Sequence, residues 1–230
     1  YNHDFEIRKE IYTCCRSGDL SILYVSDLHW NGYSQVTASN LEKSIADLDP
    51  TIILLGGDYV DTRNGLNILK QFLQSIANRQ NVFAIAGNHD YFFGIHKIKT
   101  LMRDFNVFWI EDSVVKIDCN GFELQITDHV PPGNFEEADL NILCLHKPVD
   151  VYALKRKFNL VFAGHLHGSQ FVFWQTPKGL YPGRLFYRWN LLKTRWDNCL
   201  YLISKGLGDT LPIRYNCKKD IIFVEVTGGA

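Results

Sequence analysis

Residues 82–92 read VFAIAGNHDYF. The run Val82, Phe83, Ala84, Ile85, Ala86 is apolar without alternation, the pattern of a strand covered on both faces. Gly87, Asn88, His89 and Asp90 follow at once. A carboxamide, an imidazole and a carboxylate therefore stand together where the chain leaves the core.

The same grammar extends outward in both directions. LSILYVS (20–26) and TIILL (51–55) read as strands. QVTASNLEKSIADL (35–48) carries Val36, Leu41, Ile45 and Leu48 at helical spacing, and LNILKQFLQSIAN (66–78) and HKIKTLMRDF (96–105) predict two more helices. Strands alternating with helices imply α/β units with parallel pairing. The second half is richer in strands: VVKID (114–118) and FELQIT (122–127) flank Asn120-Gly121, a hairpin signal. LNILCLH (140–146), LVFAG (160–164), SQFVFWQ (169–175), CLYLIS (199–204) and DIIFVEV (220–226) follow. So many strands imply two sheets rather than one, and 230 residues without repeat or linker imply a single domain over 1–230.

Five of these strands end in metal-ligand residue types. LYVSDLH supplies Asp27 and His29; ILLGGDYVD supplies Asp58 and Asp61; AIAGNHD supplies Asn88, His89 and Asp90. ILCLH ends in His146, and VFAGHLH supplies His165 and His167. Functional groups of α/β sheets gather beyond the carboxyl ends of strands, so the five sets can converge. Buried imidazoles beside carboxylates call for a cation. Mixed nitrogen and oxygen donors suit manganese, iron or zinc better than calcium. Asp61 reads equally well as a hydrogen-bond acceptor behind the ligands or as a turn residue.

The totals exclude several classes. The net charge of −1 gives no overall field to recruit nucleic acid. Six cysteines without a CxxC pair argue against a zinc ribbon and for reduced thiols in the cytoplasm. No apolar run reaches the roughly 18–20 residues of a membrane span, and no signal peptide is visible. The sequence opens on Tyr1 rather than Met, which leaves open an upstream anchor.

Asp27-Leu28-His29, Gly57-Asp58-Tyr59-Val60-Asp61, Gly87-Asn88-His89-Asp90, His146 and Gly164-His165-Leu166-His167 together resemble the calcineurin-like metallophosphoesterases, whose pattern is DxH, GDxxD, GNHD or GNHE, a lone His, and GHxH. The resemblance implies an α/β four-layer sandwich, two stacked mixed β-sheets flanked by helices. It implies two divalent metal ions, manganese first with iron or zinc as alternatives. Asp27, His29 and His167 would bind one ion, Asn88, His146 and His165 the other, and Asp58 would bridge both. His89 would face the substrate as an electrophile or general acid, with Asp90 holding its ring. A hydroxide bridging the ions would attack phosphorus in line.

The substrate is read from residues 171–196, FVFWQTPKGLYPGRLFYRWNLLKTRW, in which aromatics alternate with Lys and Arg and no acidic residue occurs. As an aromatic and basic insertion it suits an interface with anionic lipid. A plain core hairpin and single-stranded nucleic acid are the weaker alternatives. The tail KGLGDTLPIRYNCKKDIIFVEV (205–226) resembles the membrane-associated branch of the family, which includes UDP-2,3-diacylglucosamine pyrophosphatases of lipid A synthesis. The expectation is therefore a hydrolase of a lipid-linked pyrophosphate, cytoplasmic and peripheral on the inner membrane, with a phosphorylated lipid or nucleotide-lipid as its partner. Phosphodiesterase or phosphatase action on a soluble nucleotide or phosphoprotein is one alternative, and a non-catalytic metal-binding scaffold is another. Arg63, Arg184 and Arg188 are the candidate substrate-binding residues. His96 and His129 read as surface or loop histidines.

Overall fold

The computed structural model describes residues 4–16, 18–132, 138–150, 154, 158–209 and 213–228. In chain order the strands are β1 (Phe5–Cys14), β2 (Leu20–Val25), β3 (Ile52–Leu55), β4 (Val82–Ala84), β5 (Phe108–Trp109), β6 (Val114–Cys119), β7 (Phe122–Thr127), β8 (Leu140–Cys144), β9 (Leu160–Ala163), β10 (Val172–Thr176), β11 (Gly179–Pro182), β12 (Lys193–Trp196), β13 (Cys199–Ile203) and β14 (Lys219–Gly228). The α-helices are α1 (Gln35–Leu48), α2 (Arg63–Ile76), α3 (Asn88–Phe93) and α4 (Ile95–Asp104).

Two six-stranded mixed sheets stack on one another, ordered β1-β14-β2-β3-β4-β5 and β12-β13-β9-β8-β7-β6. Strand alternation sorts the side chains. Ile22, Tyr24, Ile52, Leu54 and Phe83 face Ile126, Ile142, Leu160, Phe162 and Leu202 between the sheets. Leu23, Val25, Ile53 and Leu55 point the other way, onto Leu41 and Ile45 of α1, Leu69 and Phe72 of α2, and Ile98 and Met102 of α4. On the outer face of the second sheet, Leu143, Val161, Tyr201 and Ile203 pack with Val149, Leu154, Phe158 and Trp189. This is the α/β sandwich of two mixed sheets expected from the sequence.

Local chemistry explains the elements. α1 ends where Asp49 turns left-handed (φ 43°) before Pro50, which cannot continue a helix. The Thr62 hydroxyl caps α2 by accepting from the Gly65 amide. Asn120 and Gly121 both take positive φ, 53° and 79°, and close the β6–β7 hairpin.

The aromatic stretch 171–196 divides where the sequence suggested one insertion. Among the described strands β10 pairs with β11 alone, as a small separate hairpin, so residues 169–175 do not extend the main sheet. Lys193–Trp196 instead form β12, the edge strand of the second sheet. Of the tail that carried the family resemblance, residues 210–212 lie outside the described residues. Among the described residues, no helix is long and apolar enough to cross a membrane. The six cysteines are all free thiols.

Candidate metal centre

The loops after β2, β3, β4, β8 and β9 meet at one end of the sandwich. Asp27 and Asp58 are 0% and 1% exposed, and His29 and His167 are buried beside them. Potential ligand atoms of Asp27, His29 and His167 lie within 4.8 Å of one another, as do those of Asp58, His146 and His165. Asp58 Oδ2 stands between the two groups, 3.4 Å from His29 Nε2 and 3.2 Å from His146 Nε2. Asn88 Oδ1 is 3.0 Å from the same His146 nitrogen. The seven candidate ligands therefore converge at one end of the sandwich, and His89 joins them, with ligand atoms of His29, Asp58 and His89 also within 4.8 Å of one another.

The tautomers are fixed from behind. Nδ1 of His29 faces Asp61 Oδ1 at 2.9 Å, Nδ1 of His146 faces the Gly56 carbonyl at 2.9 Å, and Nδ1 of His167 faces the Gly208 carbonyl at 3.2 Å. Each partner is an acceptor, so each Nδ1 carries a proton and each Nε2 faces the centre, where an ion can take it in exchange for any proton it holds. Nε2 of His29 is buried and makes no hydrogen bond. A buried imidazole nitrogen without a close hydrogen bond, beside two fully buried carboxylates, fits a divalent cation standing where a proton otherwise would.

The electrostatics agree. Burial opposes charge on Asp58, yet the neighbouring imidazoles of His146 and His29 hold its carboxyl well below the usual range. Burial likewise opposes protonation of His29 and His146, but their carboxylate neighbours prevail and raise them to about 10 and about 9. Burial lowers His165, helped by the charge of His146. Burial also lowers His167, with His29 and Arg214 adding to it. The anionic cage thus recruits protons where a metal ion would sit.

Backbone strain concentrates here as well. Asp27, His29, Asp58, His165 and His167 all have φ between 42° and 70°. Left-handed backbone is costly for residues with a Cβ and persists where surroundings enforce it. Two glycines bring the loops together. A Cβ on Gly57, itself at φ 90°, would lie 2.4 Å from the Gly87 amide, and one on Gly87 would lie 2.1 Å from Asp58 Oδ1.

The GNHD segment begins α3, and its parts separate in role. The His89 ring stacks edge-on to His29 at 4.6 Å and its side chain is partly open to solvent. Asp90 does not hold that ring. Its Oδ2 accepts from the amides of Gly87 and Asp58, and its Oδ1 from the amide of Tyr59. Being fully buried and occupied by three backbone donors, it ties the Asp58 loop to the start of α3. Asp61 is the carboxylate facing His89, with Oδ1 3.6 Å from Nδ1.

A cleft opens from the centre, lined by Asp58, His89, His165, Leu166, His167, Ser169, Gln170, Phe171, Pro182, Gly183, Phe186 and Tyr187. The three arginines expected to bind substrate are not among these lining residues. Arg63 is exposed at the start of α2, Arg184 donates to the Tyr187 carbonyl at 3.1 Å, and Arg188 faces Asp150 at 3.6 Å. His129 sits half-buried beside Asp128, 3.0 Å away, and His96 lies on α4.

Comparison with known proteins gives the class. The family model described as calcineurin-like phosphoesterase matches residues 20–169, and the chain belongs to that family. It is 25% identical over 228 residues to the uncharacterized metallophosphoesterase YkoQ of Bacillus subtilis, covering 90% of this chain and 83% of the relative. It is 27% identical over 224 residues to the phosphodiesterase YaeI of Escherichia coli, covering 89% and 81%. The fold matches the crystal structure of the calcineurin-like phosphoesterase YfkN from Bacillus subtilis with a TM-score of 0.54, over 90% of each chain at 14% identity. Family, fold and ligand clusters define a metal-dependent phosphoester hydrolase.

Proposed function

We propose that the chain hydrolyses a phosphodiester or pyrophosphate bond in a lipid-linked substrate, of which UDP-2,3-diacylglucosamine is the working example, at the surface of an anionic bilayer. The observation that carries the reading is one shared cleft. Phe186 and Tyr187 line it together with Asp58, His89, His165 and His167; Phe186 is 80% exposed, and Leu185, next to it in the chain, is 73% exposed. An acyl chain held by such side chains would leave its phosphoryl group at the cage. Support for diester chemistry comes from the relative named a phosphodiesterase.

In this reading Asp27, His29 and His167 hold one ion, Asn88, His146 and His165 the other, and Asp58 is shared. Divalent ions supply Lewis-acid polarisation of phosphoryl oxygens and acidify water. Manganese is proposed for both ions, because imidazole and carboxylate donors mix in both groups, with the Asn88 carboxamide added in one. His89 hands a proton to the departing ester oxygen and Asp61 orients its ring, which spares the leaving group from departing as an alkoxide.

The test compares a water-soluble aryl phosphodiester with detergent-dispersed UDP-2,3-diacylglucosamine, manganese added to both. Release of UMP and lipid phosphate is the expected result. Turnover of the soluble diester alone would move the assignment to a soluble nucleotide or phosphoprotein, the second reading.

A further inference from the structure

Gly208 and Arg214 lie beyond the matched family segment, yet they back the Asp27–His29–His167 cage directly. Gly208 touches all three of its members. Its amide donates to the Asp27 carbonyl at 2.5 Å, and its carbonyl accepts from His167 Nδ1 at 3.2 Å. A Cβ at Gly208 would lie 2.5 Å from His29 Cβ, so the backbone packs flush on that residue. The carbonyl that fixes His167 is itself held by one side chain. Arg214 Nη2 donates to it at 2.6 Å, and Arg214 Nη1 approaches the His167 carbonyl at 3.4 Å. Arg214 Nε is paired with Asp209, whose other oxygen takes Lys219 at 2.8 Å.

We propose that Arg214 is a positioning residue for one half of the centre: its planar fork clamps the Gly208 carbonyl and the His167 backbone, and so fixes the His167 ring with Nε2 toward the ion. The inference rests on the two-ion reading above. A guanidinium is suited to the task because its donors are rigidly disposed, so one side chain spans Gly208, His167 and Asp209 at once. An ammonium reaches one of these acceptors at a time. Ligand-supporting partners of this kind are worth about 10–100-fold in metal affinity. The His146 side has its own acceptor in Gly56, far from Arg214 in the chain, so the effect is confined to one ion.

Calorimetric titration of the metal-free protein with manganese tests this. Wild-type protein is expected to take two ions in resolvable steps. Arg214→Ala is expected to weaken one step by roughly 10–100-fold and leave the other within about twofold. Arg214→Lys retains charge against Asp209 and guards against simple misfolding. It is expected to unfold at the wild-type temperature while still showing a selective loss. Nitrogen NMR of the metal-free protein adds a signature that a purely structural role would not move: His167 shifts from one Nδ1–H tautomer in wild type to a mixture in Arg214→Lys. Lys219→Met, which breaks only the far side of Asp209, is expected to change neither step. Equal weakening of both steps, or unchanged binding and tautomer in Arg214→Lys, overturns the clamp. Wild-type uptake of fewer than two ions overturns the two-ion reading instead.

Discussion

Nδ1 of His29 lies 2.9 Å from Oδ1 of Asp61, and that same oxygen stands 3.6 Å from Nδ1 of His89. One carboxylate on the loop after β3 thus serves a ring buried in the cage and a ring facing the cleft. Asp61→Ala is expected to weaken metal binding by about 10–100-fold through His29. It is also expected to lower kcat at saturating metal, because His89 loses its orienting partner. Measuring kcat across a metal titration separates the two effects, and a rate fully restored by excess metal would leave His89 independent of Asp61.

His89 itself is expected to matter for turnover and not for metal uptake. His89→Ala should reduce kcat by roughly 100- to 10,000-fold on a substrate with a poor leaving group, the range of general acid catalysis. An aryl diester, whose leaving group needs no proton, should lose much less. Both ions should still bind with wild-type stoichiometry in calorimetry. Equal losses on the two substrates would remove the proton-donor role.

Asp90 carries a structural role that its place in the motif does not advertise. Burial raises its carboxyl to about 6, although the amides of Tyr59, Gly87 and Asp58 pull the other way. In Asp90→Asn one oxygen becomes an NH2 group. In either orientation it must face at least one amide donor, leaving like meeting like in the core. The expected cost is about 2–3 kcal/mol, the scale of a lost charge-assisted hydrogen bond with its partner left buried. Chemical denaturation should show that loss even in metal-free protein. A purely catalytic Asp90 would leave metal-free stability unchanged.

This division of labour marks where the sequence stops being informative. The spacing of Val36, Leu41, Ile45 and Leu48 located α1 at residues 35–48, as found, although the buried face is built from Ala38, Leu41 and Ile45 and Val36 is 68% exposed. The meeting of the candidate ligands at one place was legible for a similar reason: each follows an apolar strand, and only convergence makes such residues chemically useful. β1 was not legible. Its FEIRKEIYTC carries charges that meet partners far away in the chain, Arg8 with Asp220 and Glu10 with Lys193, and its parallel mate is β14 at the other end. The role of Asp90 was hidden because three backbone amides, which leave no trace in side-chain patterns, consume its oxygens. The left-handed backbone of five ligands is likewise imposed by surrounding loops and not by residue type.

The pH dependence of metal uptake follows from His29 and His146, raised to about 10 and about 9 when no ion is bound. At neutral pH both hold protons that an ion must displace. Affinity should therefore rise with pH and level off above about pH 10. Calorimetry at pH 7 in buffers of different ionisation enthalpy should report release of about two protons. Metal-free stability runs in the opposite direction. The contribution of these rings is complete below about pH 6.5, their unfolded value, and is lost as pH rises through 9 to 10. Thermal unfolding of metal-free protein should weaken across that window. Release of no protons at pH 7 would mean the rings are already neutral.

The exposed apolar side chains beside the cleft belong to two short segments. Phe173, Trp174 and Leu185 lie in the first, Ile213 and Tyr215 in the second, and Phe173 and Tyr215 touch with ring centroids 5.5 Å apart. Lys178, Arg184 and Arg188 accompany them, and no acidic residue occurs between 171 and 196. On the proposed lipid reading, such a surface would meet an anionic bilayer, with apolar groups entering the interface and cations meeting headgroups. Phe173→Ser with Leu185→Ser leaves the cleft lining intact. The pair should cut sedimentation with vesicles of phosphatidylcholine and roughly one-third phosphatidylglycerol by at least about tenfold, given about 1.5–3 kcal/mol for each large side chain that leaves an apolar environment. Hydrolysis of the soluble diester should be unchanged, while turnover of a vesicle-embedded substrate should fall with the binding. Added salt should weaken the wild-type interaction as well, through the cations. Sedimentation that survives both substitutions would assign this face to something other than lipid.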